Sequence, residues 1–146
     1  MADFVFNIAK GAVAEMVRDT GNKLLVLLLK AAEADDTLNN YDELDALIAA
    51  AGNTEADFTN YARKTAITGT ITVDDTNNRV DIDIPDQTWT AAGGASNNTL
   101  TDLIVAYENA AADATRIPCT NHDFAVTTDG SDLTAQVNAS GFYRAA

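Results

Sequence analysis

The chain has one cysteine, one histidine, two prolines, one tryptophan and nine basic residues in 146. Each scarcity excludes something. A lone cysteine, Cys119, forms no intrachain disulfide. Cys119 and His122 are the only cysteine and histidine, and a zinc site needs three or four such ligands, so the pair falls short of one. No third group orients them as a catalytic pair. Cys119 therefore reads as a small buried hydrophobe and His122 as a surface or turn residue. Nine Lys and Arg against 22 Asp and Glu leave a net charge of −13. Phosphate neutralisation needs clustered Lys and Arg, so neither nucleic acid nor an anionic membrane is an expected partner. The longest strongly apolar run, Leu24 to Leu29, is far too short to span a bilayer. The N-terminus has no basic region followed by an apolar stretch, so no secretory signal is expected.

What is present is an ordinary globular composition, 47% hydrophobic and 21% charged, long enough to bury a core without metal or disulfide. No Pro/Ser-rich linker divides it and no repeat is visible. One domain over 1–146 is expected, with a strand- and helix-containing part over 1–52 and a β-rich part over 53–146.

Phe4, Phe6 and Ile8 alternate, the pattern of a short strand. Ala9, Ala12, Val13, Met16 and Val17 follow at helical spacing, with Asn7 as cap and Asp19 to Asn22 as stop. The Leu24–Leu29 run fits a central strand buried on both faces. Leucine also favours helix, but the turn signal before the run tips the reading to strand. The spacing predicts a helix over 41–51: Asn40 caps, Glu43 stands three residues on, Leu44, Leu47, Ile48 and Ala51 form a stripe, and Gly52 ends it.

Beyond Gly52 the sequence turns to Thr, Val, Ile, Asn and Asp. Phe58 to Lys64 reads as strand, with Thr54 to Asp57 as an alternative short helix start. Ile71 and Val73, the turn Asp74 to Asn78, then Val80, Ile82 and Ile84 predict a hairpin with one buried and one charged face. Asp81 and Asp83 read as members of the charged face. Thr88 to Thr90 looks like a short strand, 91–99 a loop and 100–108 a central strand. Phe124–Thr127 and Leu133–Val137 flank Asp129-Gly130 as a second hairpin. Phe142 to Arg144 make a last strand. The expected fold is α+β: mainly antiparallel β-sheet or sandwich, with one or two helices in the N-terminal third.

No motif carries chemistry. The acidic turns Asp74–Asn78 and Asp129–Asp132 offer oxygens to calcium, but their spacing is not that of an EF-hand, and tight turns use the same residues. Trp89 reads as a core residue rather than a stacking platform. Gly93-Gly94 has neither the strand–helix context nor the lysine of a phosphate loop. No catalytic, cofactor-binding or metal-binding residue is assigned.

Several strings resemble a family. The opening Met1 to Gly11 is similar to the start of small virion-associated proteins of tailed bacteriophages, many from actinobacterial phages. So are Tyr61-Ala62-Arg63-Lys64, Asp74 to Asn78, Val80 to Trp89, His122 to Thr127, Asp129 to Asp132 and Gly141 to Ala145. The resemblance implies a non-enzymatic virion structural protein, without cofactor, made in the host cytoplasm. It implies a capsid decoration or cement protein bound outside the shell of the major capsid protein, and a homo-oligomer, with a trimer favoured by analogy. A tail, head–tail connector or fibre component is the alternative within the virion. A small cytosolic ligand-binding module or enzyme is the alternative from another class. An acidic outer face suits a protein that stays soluble at high copy number. Phe4, Val5 and Phe6, apolar on both faces of a terminal strand, form a candidate shell-contact arm, or else complete the chain's own core.

Overall fold

The computed structural model describes residues 3–6, 23–108 and 110–145. The helix expected after Asn7 lies outside them. Among the described residues the fold is mainly antiparallel β with two short helices, in keeping with the α+β reading.

The strands are β1 (Phe4–Val5), β2 (Leu24–Ala31), β3 (Thr54–Glu55), β4 (Lys64–Ile67), β5 (Thr70–Asp74), β6 (Arg79–Asp83), β7 (Gln87–Trp89), β8 (Asp102–Glu108), β9 (Arg116–Asp123), β10 (Leu133–Ala135) and β11 (Tyr143–Ala145). The helices are α1 (Asp35–Leu38) and α2 (Leu44–Ala49), and a 3-10 turn covers Asp113–Thr115. The main sheet runs β1-β9-β8-β2-β3, with β4 also on β2. A three-stranded sheet runs β11-β6-β5, and β10 pairs with β7.

The leucine run is a central strand. All six residues Leu24 to Leu29 are fully buried, so apolar layers cover both faces of β2. Its neighbour β8 pairs with it in unbroken register from Leu24↔Tyr107 to Leu29↔Asp102. On the other side β2 meets two short strands, β3 near Leu29 and β4 near Leu24. The gap between them leaves the Leu28 N–H without a strand partner. The Tyr61 hydroxyl accepts it at 3.2 Å and itself donates to Glu55 at 2.8 Å. Burial and the neighbouring Glu55 carboxylate push the Tyr61 phenol upward. An aromatic side chain thus completes the edge where a backbone strand stops.

The helix expected over 41–51 is shorter and starts later. Its N-cap is Glu43, not Asn40, and no side chain caps it. Asn40 is held to α1 instead, donating to the Asp36 carbonyl. The far end stops because Ala50 is extended (φ −66°, ψ 134°), before Gly52 is reached. Asn53 is the cause. Its amide donates to the Leu47 carbonyl at 2.9 Å and its oxygen accepts the Glu33 N–H at 2.8 Å, so the chain must turn back towards β2. Leu44 and Leu47 are buried, Ile48 is half-buried and Ala51 is exposed.

Three other expectations change. The segment 58–63 is a turn, and the strand begins at Lys64. Phe124–Thr127 and Leu133–Val137 do not pair as a hairpin; β10 pairs with β7, Leu133 opposite Trp89 and Ala135 opposite Gln87. The Asp129-Gly130 tip is tied elsewhere: Gly130 N–H donates to the Ala92 carbonyl and Thr128 N–H to that of Asn98. Residues 116–123 form a full strand, which places His122 on a sheet rather than in a turn. Pro118 fits there because the register shifts by one residue between Thr120 and Pro118, and because β1 stops short of it.

Candidate functional site

The hairpin β5–β6 forms where the sequence places it. Asp74 makes the turn: its backbone carbonyl accepts the Asn77 N–H at 3.2 Å, and its carboxylate accepts both the Asn77 N–H at 3.1 Å and the Asn77 amide at 2.7 Å. Asn78 takes the left-handed conformation at φ 52°. Five registered pairs follow, from Asp74↔Arg79 to Thr70↔Asp83. β11 joins on the far side of β6, with Tyr143 opposite Ile82 and Ala145 opposite Val80. Gly141 allows this approach. At φ 82° it passes so near β6 that a Cβ would sit 2.2 Å from the Ile82 carbonyl oxygen.

These registers set two apolar rows on one face of the small sheet. Ile71, Ile82 and Tyr143 make the first, with Ile82 and Tyr143 buried against the core. Val73, Val80 and Ala145 make the second, which emerges into solvent; Val73 is 65% exposed, the one exposed large hydrophobic among the described residues. A shallow hollow of about 410 Å³ lies over this row, bordered by Asp75, Asn78 and Arg79. The face is therefore buried at one end only, and the expected buried position of Val73 is corrected: β5 projects past the core that shields Ile71. The opposite face is ionic. Asp81 is held by Arg144 at 2.6 Å and Arg79 at 3.3 Å, and Arg79 lies 3.0 Å from Asp74. The hydrogen bond from Arg144 holds the Asp81 carboxyl below its usual range. Asp81 and Asp83 are thus half-buried, and Asp81 is paired rather than simply solvated.

A second concavity, about 610 Å³, lies between the main sheet and the C-terminal segment. Val26, Leu103, Val105, Ile84 and Phe142 give it an apolar lining, and its volume is in the range of small-molecule sites. Several of its polar groups are turned to the chain itself. The Asp3 carboxylate accepts the Asp123 N–H at 2.8 Å and meets His122 at 3.4 Å. Arg144 is paired with Asp81, the Gln87 amide donates to the Pro85 carbonyl, and the Asn138 oxygen accepts the Ser140 N–H.

The other residues singled out in the sequence are dispersed. Cys119 is fully buried, and burial pushes its thiol up to about 12. His122 bonds to Thr120 at 2.9 Å and meets Asp3 at 3.4 Å, and the Cys119 thiol lies 3.4 Å from the Ile117 carbonyl. Trp89 is buried, donating to the Ala62 carbonyl at 2.8 Å, with the Lys64 ammonium 5.2 Å from its ring. Asp129 accepts from Ser131, and Asp132 accepts the Ala91 N–H at 2.8 Å, so both close turns. Among the described residues no three His, Cys, Asp or Glu converge as metal ligands.

Phe4, Val5 and Phe6 lie within the chain's own fold. Phe4 pairs with Asn121 and Val5 with Thr120. Phe6 is fully buried and its N–H donates to the Cys119 carbonyl at 3.0 Å.

Sequence reasoning found the hairpin but not its free edge. The signal was available: Thr70-Ile71-Thr72-Val73 is β-branched at every position, a composition that suits a strand whichever face is covered. What was not available was the end of the core. Comparison with protein families, with curated proteins and with solved structures finds no match to the chain.

Proposed function

We propose that the chain is a structural protein of a tailed-phage virion, a decoration protein that attaches to the outside of the major capsid protein shell as a homo-oligomer, with a trimer favoured by analogy. The observation that carries this reading is the emergent row Val73–Val80–Ala145 beside the edge of β5 that meets no strand among the described residues, on an acidic body. An exposed strand edge with an apolar row is a surface for joining another protein. The body behind it suits the role of a fixed scaffold. The loops 57–60, 91–98 and 128–132 are cross-braced, with Asn98 bonded to Asp57 and Thr128, Thr59 to Ser96 and Gly93, and Asn60 to Ala91. A part-buried ionic chain, Glu55–Arg63–Asp113–Arg116–Glu108, ties the 55–63 segment to β8 and β9.

The test is a stoichiometry. In purified particles of the phage that encodes it, the protein is expected in a copy number comparable with that of the major capsid protein, and an antibody to it is expected to label heads. Labelling confined to tails or to the neck would move the protein there; its absence from purified particles would overturn the reading.

A further inference from the structure

We infer that the outer edge of β5 is the docking edge for an extended, positively charged segment of a partner protein, which joins the β11-β6-β5 sheet as a fourth strand. The inference rests on the attachment reading above only for who the partner is, a subunit of the shell.

β5 is fully registered with β6 along one side over five residues. Its other side meets no strand among the described residues. Five residues span roughly 17 Å, enough for a short run of backbone hydrogen bonds to an added strand. Natural proteins usually blunt such an edge with proline, lysine, a bulge or a covering loop. Thr70-Ile71-Thr72-Val73 has no proline and no lysine, its pairing with β6 shows no register shift, and Thr70, Thr72 and Val73 are exposed. On the apolar face an added strand would find Ile71 and Val73 and, beyond them, the hollow over Val80 and Ala145.

Charge selects the occupant. Residues 70–83 carry four carboxylates and one guanidinium, and the whole chain is at −13. Asp75 stands exposed at the end of β5, and Asp83 lies opposite Thr70 at the other. A second copy would bring the same acidic hairpin alongside, and like charges across paired strands are unfavourable. A segment with Thr or Val at its centre and Lys or Arg at its ends places apolar against apolar and cation against carboxylate.

The probe is a soluble eight-residue peptide of alternating Thr and Val with two lysines at each end, titrated into the full-length isotope-labelled protein and followed by backbone amide shifts. The expected result is saturable shifts confined to residues 70–75 and their β6 partners. The same peptide flanked by glutamates should bind at least tenfold more weakly, and N-methylation of alternate peptide nitrogens should abolish binding. Raising salt from 50 to 200 mM should weaken the lysine peptide. Val73→Lys, at an exposed position, should keep the amide spectrum of the remaining fold and lose the shifts. No shifts at β5, equal affinity for both charge forms, or binding that survives Val73→Lys would each overturn the inference. A protein dimer that Val73→Lys dissociates would overturn it too, by making a second copy the occupant. Binding of wild-type protein to empty shells separates the two proposals. If the lysine peptide binds β5 and the wild type ignores shells, the edge inference stands and the virion reading fails. If the wild type binds shells and the peptide ignores β5, the edge inference fails alone.

Discussion

Burial acts on Cys119 and on Asp102 in different ways. The thiol at Cys119 resists ionisation because no solvent reaches it, and its folded value of about 12 lies above the ordinary 9.0. Between pH 9 and 12 the unfolded chain releases this proton and the folded chain keeps it. The contribution of Cys119 is therefore full below pH 9 and falls as pH rises through that window. The stability of the wild type relative to Cys119→Ala should shrink from pH 9 to 12 in urea titrations, and a thiol reagent at pH 8 should label Cys119 only after unfolding. Rapid labelling of the folded protein would contradict this. Asp102 presents a different problem. It is fully buried; one carboxylate oxygen accepts from the Asn121 amide at 2.8 Å, and the other has no hydrogen-bond partner, nor has the Asn121 amide oxygen. The pair thus has two buried acceptors without a donor. Asp102→Asn supplies the missing donor, and a hydrogen bond of this kind is worth about 1 kcal/mol. The unfolding free energy should rise by about that amount; a loss of the same size would show that the second oxygen has a use the pairing does not reveal.

At the scale of elements, local pattern and long-range contact divide the fold between them. The leucine run, β8 and the last strand were legible as short apolar stretches, and the β5–β6 hairpin by its alternation and its turn residues. Helix α2 was legible in its Leu44/Leu47 stripe and misread at both ends, because Asn40 is held to α1 at the start and Asn53, whose partners are the Leu47 carbonyl and Glu33, turns the chain at the finish. The pairing of β10 with β7 was illegible for a similar reason: Thr128 and Gly130 are held by the 91–98 loop, to Asn98 and Ala92, far away in sequence. The candidate site was half legible, since the hairpin follows from alternation while the free edge follows from where the core stops. The split edge of β2 gives the sharpest test at this scale. Tyr61→Phe keeps the ring against Phe58, whose centroid is 5.1 Å away, and removes only the hydroxyl that serves Leu28 and Glu55. Leaving a part-buried N–H unpaired should cost about 1–3 kcal/mol in denaturant unfolding. Leu47→Ala, which empties a fully buried site in α2, should cost about 2–5 kcal/mol. A change under about 0.5 kcal/mol for either, the usual surface range, would mean that the contact does not form in solution.

For the whole molecule, holding the fold together and presenting a surface fall to different elements. One cluster of buried apolar side chains extends from Phe6 to Tyr143 and includes both helices. The N-terminal segment belongs to it. Val5 pairs with Thr120, Phe6 is enclosed, and the Phe4 and Phe6 rings lie 5.2 Å apart. Asp3 adds a bond to the Asp123 N–H, fixing the start of β1 against the end of β9. Using this segment as an arm for a neighbour would strip the edge of β9 and open the core beside Cys119. The hairpin edge at β5 has no such obligation, since Val73 is largely exposed. Phe6→Ala should therefore destabilise the isolated protein by about 3–5 kcal/mol, as loss of a buried aromatic ring does. It should also raise the rate at which a thiol reagent reaches Cys119 under native conditions, because the lost ring is fully buried and its residue is joined to Cys119 through the backbone. Val73→Lys should stay within about 0.5 kcal/mol of wild type by the same urea measurement. A Phe6→Ala protein as stable as wild type would free the N-terminal segment from the core and favour its use as the attachment arm.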